Sequence, residues 1–129
     1  MLLLMALHIR DFRASDAAGL SGRGARGCLF GQPPAPEVGG RILCGIRGDA
    51  IAAAIWMVLT DHTGFIPALQ VAEGAHWTSD TGEMLAEACL WLTARGATRI
   101  ELSFLPEDTE LLSALLDMGF SPDPAAGVL

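Results

Sequence analysis

The chain has 129 residues, 51% of them hydrophobic, which is enough for one compact domain with a substantial core and too few for two ordinary ones. Its net charge of −7, with all eight basic residues being arginines in no long run, excludes a broad surface for nucleic acid or anionic membrane, because such surfaces need clustered cations. Cys28, Cys44 and Cys89 are odd in number and lack C-x-x-C spacing, which argues against a disulfide framework or a zinc site and suits a reducing cytoplasm.

Met1 to Leu7 is apolar but has no basic n-region and runs straight into His8, Arg10 and Asp11, so it reads as the lead-in to a first strand and not as a signal peptide. No other segment approaches the roughly 20 apolar residues that span a bilayer. Over Leu4 to Phe12, Leu4, Ala6 and Ile9 alternate with more polar residues, and Ser15 or Asp16 offers the N-cap of a short helix through Leu20. Ser21 to Gly40 is rich in Gly and Pro and reads as a surface loop. Within it Gly22-Arg23-Gly24-Ala25-Arg26-Gly27 fits G-x-G-x-x-G, but it follows a helix and leads into a loop, whereas a dinucleotide site needs a strand before it and a helix after. Arg23 and Arg26 still offer charge to a phosphate or an acidic substrate.

Arg41 to Arg47 and Ala50 to Thr60 read as antiparallel strands joined at Gly48-Asp49, where Gly supplies the positive φ of a II′ turn. Asp61 to Gly64 turns the chain again, and Phe65 to Val71 is a third strand, with Pro67 marking an irregularity because it cannot donate to a ladder. Asp80 and Glu83 have capping-box spacing, and Met84, Leu85, Ala88, Trp91 and Leu92 follow at helical intervals up to Arg95-Gly96. Arg99 to Phe104 alternates as a half-buried strand, and the helix before it implies a parallel pair with a right-handed crossover. A last helix begins near Asp108, is expected to bury Leu111, Leu112, Leu115 and Met118, and ends at Gly119 with Phe120 making the apolar contact of a Schellman motif.

This order of elements resembles the GNAT acetyltransferase superfamily over nearly the whole chain. The residues that carry the resemblance are Ile9-Arg10-Asp11-Phe12 with Ser15-Asp16-Ala17, then Leu69-Gln70-Val71, then Leu115 to Phe120 with its Met-Gly-Phe ending. The resemblance implies a mixed α/β, mostly antiparallel sheet with a splayed parallel strand pair flanked by helices, in a single domain over residues 1–129. It implies an acyl-CoA-dependent N-acyltransferase, with acetyl-CoA as co-substrate, no metal, and a small-molecule or peptide amine as acceptor. Leu69 and Val71 would then offer backbone hydrogen bonds to the pantetheine and acyl carbonyl. N–H groups around Ser79, Asp80, Thr81 and Gly82 would hold the phosphates, since a helix N-terminus captures anions.

The family's R/Q-x-x-G-x-G/A phosphate motif is not restored here by either alignment: counted forward it falls on His76, Ser79 and Thr81, and counted back on Trp77, Asp80 and Gly82. Ser79 and Asp80 read more readily as helix caps than as ligands, and Asp80 would set a negative charge where a polyanion should sit. The family's proton-donating Tyr falls on Leu115, and the chain contains no Tyr. Asp108 stands in place of an Asn near the start of the last helix and reads as an N-cap. Glu73 and His76 are the candidate general bases by location, and both also read as exposed loop residues. Trp56 and Trp91 read as core, whereas Trp77 lies in the loop and offers a stacking face. His8 and His62 read as surface, and Glu101 faces solvent or substrate. No H-E-x-x-H or His/Cys cluster supports a metal site. The altered phosphate loop, the missing Tyr and the acidic charge favour a second reading, a non-catalytic GNAT-fold module that binds a ligand or partner. Its apolar strands suit edge pairing in a homodimer.

Overall fold

A computed structural model describes residues 7–13, 16, 26–27 (backbone), 40–72, 77–102 and 109–121. Strands β1 (His8–Asp11), β2 (Arg26–Gly27), β3 (Gly40–Arg47), β4 (Ala50–Thr60) and β5 (Thr63–Val71) are followed by helix α1 (Trp77–Ala94), strand β6 (Arg99–Leu102) and helix α2 (Thr109–Asp117). β1, β3, β4 and β5 are antiparallel neighbours in that order, and β6 pairs with β5 in parallel, so the mixed sheet with one parallel pair expected from the sequence is present.

The local chemistry explains most element boundaries. Gly48 takes φ +64° at the β3–β4 turn, as its place in a two-residue hairpin demands. Both helices end in the same way. Gly96 at φ +100° and Ala97 donate N–H bonds back to Thr93 and Leu92, and Gly119 at φ +102° and Phe120 donate to Leu116 and Leu115. Each set is a Schellman motif, and Phe120 packs onto the cluster that contains Leu115. The helix start was misread: α1 opens at Trp77, so Asp80 lies in its first turn and does not cap it. Asp108 lies outside the described residues, as do most of the expected first helix and Ser103-Phe104. The Asp16 carboxylate reaches backward to accept the Arg13 N–H at 2.7 Å.

One face of the sheet carries the main core, in which Ala53, Ile55, Met57, Ile66, Leu69 and Val71 meet Met84, Leu85, Ala88 and Leu92 of α1 and Leu111 and Leu115 of α2. The other face carries a smaller cluster of Ile42, Cys44, Ala54 and Ala68 with Phe12 and Trp56 against it. Two expected core residues differ. Met118 is exposed and Leu112 is half-buried, because α2 turns Leu111, Ala114 and Leu115 inward at i, i+3, i+4 spacing and leaves the next turn outside. Trp56 and Trp91 are half-buried at the margins of their clusters, and Arg95 lies 4.1 Å over the Trp91 ring.

Pro67 marks the irregularity that positions everything else. Trp56 pairs with Ala68 and Val58 with Phe65, so Met57 on β4 stands opposite two residues, Ile66 and Pro67, on β5. This is a β-bulge, which bends the bulged strand and shifts its alternation by one residue. Gly64 and Ile66 face α1 before it, and Leu69 and Val71 face α1 after it.

Candidate functional site

The bulge divides the outer edge of β5. Its first part pairs with β6, from Thr63↔Arg99 to Ile66↔Leu102, and the described pairing stops where Pro67 enters the bulge. Beyond it the strand's backbone directions follow from one hydrogen bond. Ala72 donates to Ala52 on β4 at 2.8 Å. Because N–H and C=O of alternate residues point to opposite edges, Gln70 also faces β4, while Leu69 and Val71 present their backbone groups to the outer edge. Leu69 and Val71, expected to offer backbone bonds, thus point their polar groups to the side away from β4.

That edge has an unexpected occupant. Arg26 pairs with Val71 and Gly27 with Gln70, antiparallel, at the end of β5 that β6 leaves. Since β4 covers the opposite edge at the same residues, β2 lies on the side where β6 lies lower down. The sequence of this segment reads as a loop, and a two-residue strand has no periodicity to betray it.

Beyond β5, α1 begins at Trp77. A helix directs its first-turn N–H groups out of its N-terminal end, where they favour an anion. Of the residues expected there, Ser79 is exposed, Asp80 and Thr81 are buried, and Gly82 is half-buried at a point where an added Cβ would lie 3.6 Å from Met118. Thr81 turns its hydroxyl back onto the Trp77 carbonyl at 2.7 Å. Asp80 forms an ion pair with Arg47 at the end of β3, its side chain only 5% exposed. Its charge is therefore compensated within the sheet–helix interface.

Trp77 belongs to the helix and not to the loop. Half-buried, it forms with Thr78 one wall of a cavity of about 380 Å³, whose opposite wall is Glu110, Ser113, Ala114, Asp117 and Met118 of α2. Leu115, where the resemblance puts a proton donor, is fully buried in the main core. Glu73 and His76 lie outside the described residues. His8 and His62 are exposed, and Glu101 is paired with Arg99 at 2.8 Å.

A second polar cluster sits across the sheet and is structural in its chemistry. Arg10 holds buried Asp16 with two bonds of 2.8 and 2.9 Å, and the Cys44 thiol lies 3.7 Å from the same carboxylate. Arg10 and the Arg13 N–H lower the Asp16 pKa to about 2, against the burial that would raise it. Burial, with Asp16 beside it, pushes Cys44 up to about 11, and burial alone raises Cys89, so neither thiol is poised as a nucleophile. Among the described residues no group of three or more His, Cys, Asp or Glu side chains is arranged to hold a metal ion, and no helix is long and apolar enough to cross a membrane.

No family model matches the chain, and no curated protein matches it in sequence. Solved structures do match in shape. A transcriptional regulator from Bacillus halodurans C-125 superposes with a TM-score of 0.65 at 15% identity, covering 90% of this chain and 93% of that one. An IAA acetyltransferase from Bacillus cereus ATCC 14579 gives 0.68 at 14% identity over 92% of this chain and 79% of its own. An acetyltransferase from Trypanosoma brucei gives 0.63 at 16% identity, covering 92% and 94%. At such identities the likeness is one of fold.

Proposed function

We propose that this chain, which has the GNAT acetyltransferase fold, is an acyl-CoA-dependent N-acyltransferase, with acetyl-CoA as donor and an amine as acceptor. The observation that carries the reading is the divided outer edge of β5: a parallel neighbour as far as Ile66, a bulge at Pro67, then the outward backbone groups of Leu69 and Val71. An extended chain of amides fits such an edge by the hydrogen bonding that a strand uses.

Acyl-CoA would supply a thioester carbonyl already activated toward an amine. Leu69 and Val71 would bond the amides of its pantetheine arm, and the first turn of α1, opening at Trp77, would face its pyrophosphate. The fit is partial. The edge and the helix end are suited to the donor, but Thr81 and Gly82 lie past the first turn, where helical bonding engages their N–H groups. Trp77 and the cavity beside it offer an aromatic wall to the remainder of the donor. With no side-chain acid at Leu115, water would protonate the leaving thiolate, and rate enhancement would rest on positioning. Glu73 and His76 remain the proposed bases for the ammonium form of the acceptor.

Thermal unfolding with acetyl-CoA tests the reading. At about 100 times its Kd the donor should stabilise the protein by roughly 2.7 kcal/mol. An unchanged Tm at millimolar acetyl-CoA removes it. A second reading, a binding module without catalysis, is favoured by one observation, the full burial of Leu115 in a chain without tyrosine. Donor binding with no acyl transfer to any of a panel of amines would select it.

A further inference from the structure

We infer that Arg26–Gly27 is a self-strand that competes with the acyl donor for the outer edge of β5. The inference rests on the donor reading above and adds a control to that site. The pairing Arg26↔Val71 is of the hydrogen-bonded kind, because Val71 turns its N–H and C=O away from β4, whereas Gly27↔Gln70 is the non-bonded kind. The backbone groups that an amide-bearing arm would need at Val71 are thus engaged by the chain itself.

One edge cannot serve two strands at one position. Donor binding therefore requires β2 to leave, and the apparent affinity is the intrinsic affinity reduced by the fraction of molecules in which the edge is open. Two residues form a short contact, worth only one or two net backbone hydrogen bonds, so the closed state should weaken the donor by about tenfold and not abolish binding. A device of this size is suited to adjustment: anything that draws β2 off the sheet, an acceptor substrate included, would raise donor affinity by the same factor.

Two measurements test it. In Arg26→Pro the backbone donor facing Val71 is removed, and acetyl-CoA should bind about tenfold more tightly than to the wild type. Arg26→Ala keeps that N–H and should bind as the wild type does, within about threefold. In the wild type, hydrogen exchange of the segment containing residues 26 and 27 should quicken on adding acetyl-CoA, because the ligand expels it. The exchange measurement needs no variant to fold. Equal acetyl-CoA affinity in Arg26→Pro and wild type, with protection of the segment unchanged or increased by the ligand, overturns the inference and leaves the donor reading standing. Absence of acetyl-CoA binding in all three proteins overturns the donor reading and this inference with it.

Discussion

Removing both partners of the Arg47–Asp80 pair should cost the fold less than the sum of the two single removals. The Asp80 side chain is 5% exposed and that of Arg47 21%, so each charge has lost most of its water. A contact pair gains about 4 kcal/mol at an effective dielectric of about 20. Desolvation offsets much of that, and the loss of one partner is costly because the other stays buried without its counterion. Arg47→Met should cost about 3 kcal/mol and Asp80→Asn about 2, while the double variant should cost about 3 in place of the additive 5, a coupling of about 2 kcal/mol. Other bonds made by Arg47 drop out of that coupling, which the four proteins yield from urea unfolding. At roughly 4 °C per kcal/mol for a chain of this size, the Arg47→Met Tm should fall by about 12 °C. Acetyl-CoA affinity should rise in Asp80→Asn, which leaves the Arg47 charge uncompensated, and fall in Arg47→Met, where the carboxylate loses its counterion one turn from the helix end. Single costs that add within about 0.5 kcal/mol would refute the argument and return Asp80 to the anion site as an unneutralised charge.

Two further perturbations follow from the packing. Asp16 has a folded pKa of about 2 against 3.8 in the unfolded chain, so the unfolded state takes up its proton first as pH falls. Its contribution is complete above about pH 5 and lost between there and about pH 2; fully sheltered it would reach about 2.5 kcal/mol, and the partial exposure of Arg10 reduces that to about 1–2. Asp16→Asn should flatten the stability profile across that window, and a slope equal to that of the wild type would show that Asp16 does not carry it. A Cβ at Gly64 would lie 2.8 Å from Leu92 Cδ1 and 3.2 Å from its Cγ, with Leu92 fully buried. Gly64→Ala should therefore cost about 1–2 kcal/mol in urea unfolding, with Leu92→Ala in the same chain showing less than the sum of the two losses; strict additivity would deny the contact.

The fold was legible because its signals are local. Gly48-Asp49, Arg95-Gly96 and Gly119-Phe120 each write a turn or a helix end into two residues, and the structure has a positive-φ glycine at all three places. The turns at Gly48-Asp49 and Asp61 to Gly64 delimit β3, β4 and β5, and Pro67 marks the irregularity, since the missing N–H is visible in the sequence itself. The consequence of that irregularity was not visible. Only the register with β4 shows that one extra residue moves Leu69 and Val71 onto the α1 face while their backbone groups turn outward. Met118 was misjudged for a related reason. Helical spacing continues past Asp117, but the chain is already leaving the helix at Met118 and Gly119.

The site was less legible, because it is assembled from groups far apart in the chain. Asp80 and Glu83 satisfied a local pattern for a helix start, yet nothing in that pattern reports that Arg47, 33 residues earlier, sits within reach of the carboxylate. An N-cap must keep its side chain at the helix end, whereas a first-turn residue can turn inward if a cation meets it, and Arg47 supplies that cation. The same limit hid β2. Its glycines fit a dinucleotide-site spacing that the flanking elements exclude, and the backbone bonds that define the strand belong to Val71, 45 residues away in Arg26↔Val71. Much of the side-chain signal was therefore readable here as absence, the missing tyrosine and glycines, while the strand edge at Leu69 and Val71 is written in the backbone. For that reason the decisive measurements are of ligand affinity and amide exchange, which respond to an open or an occupied strand edge.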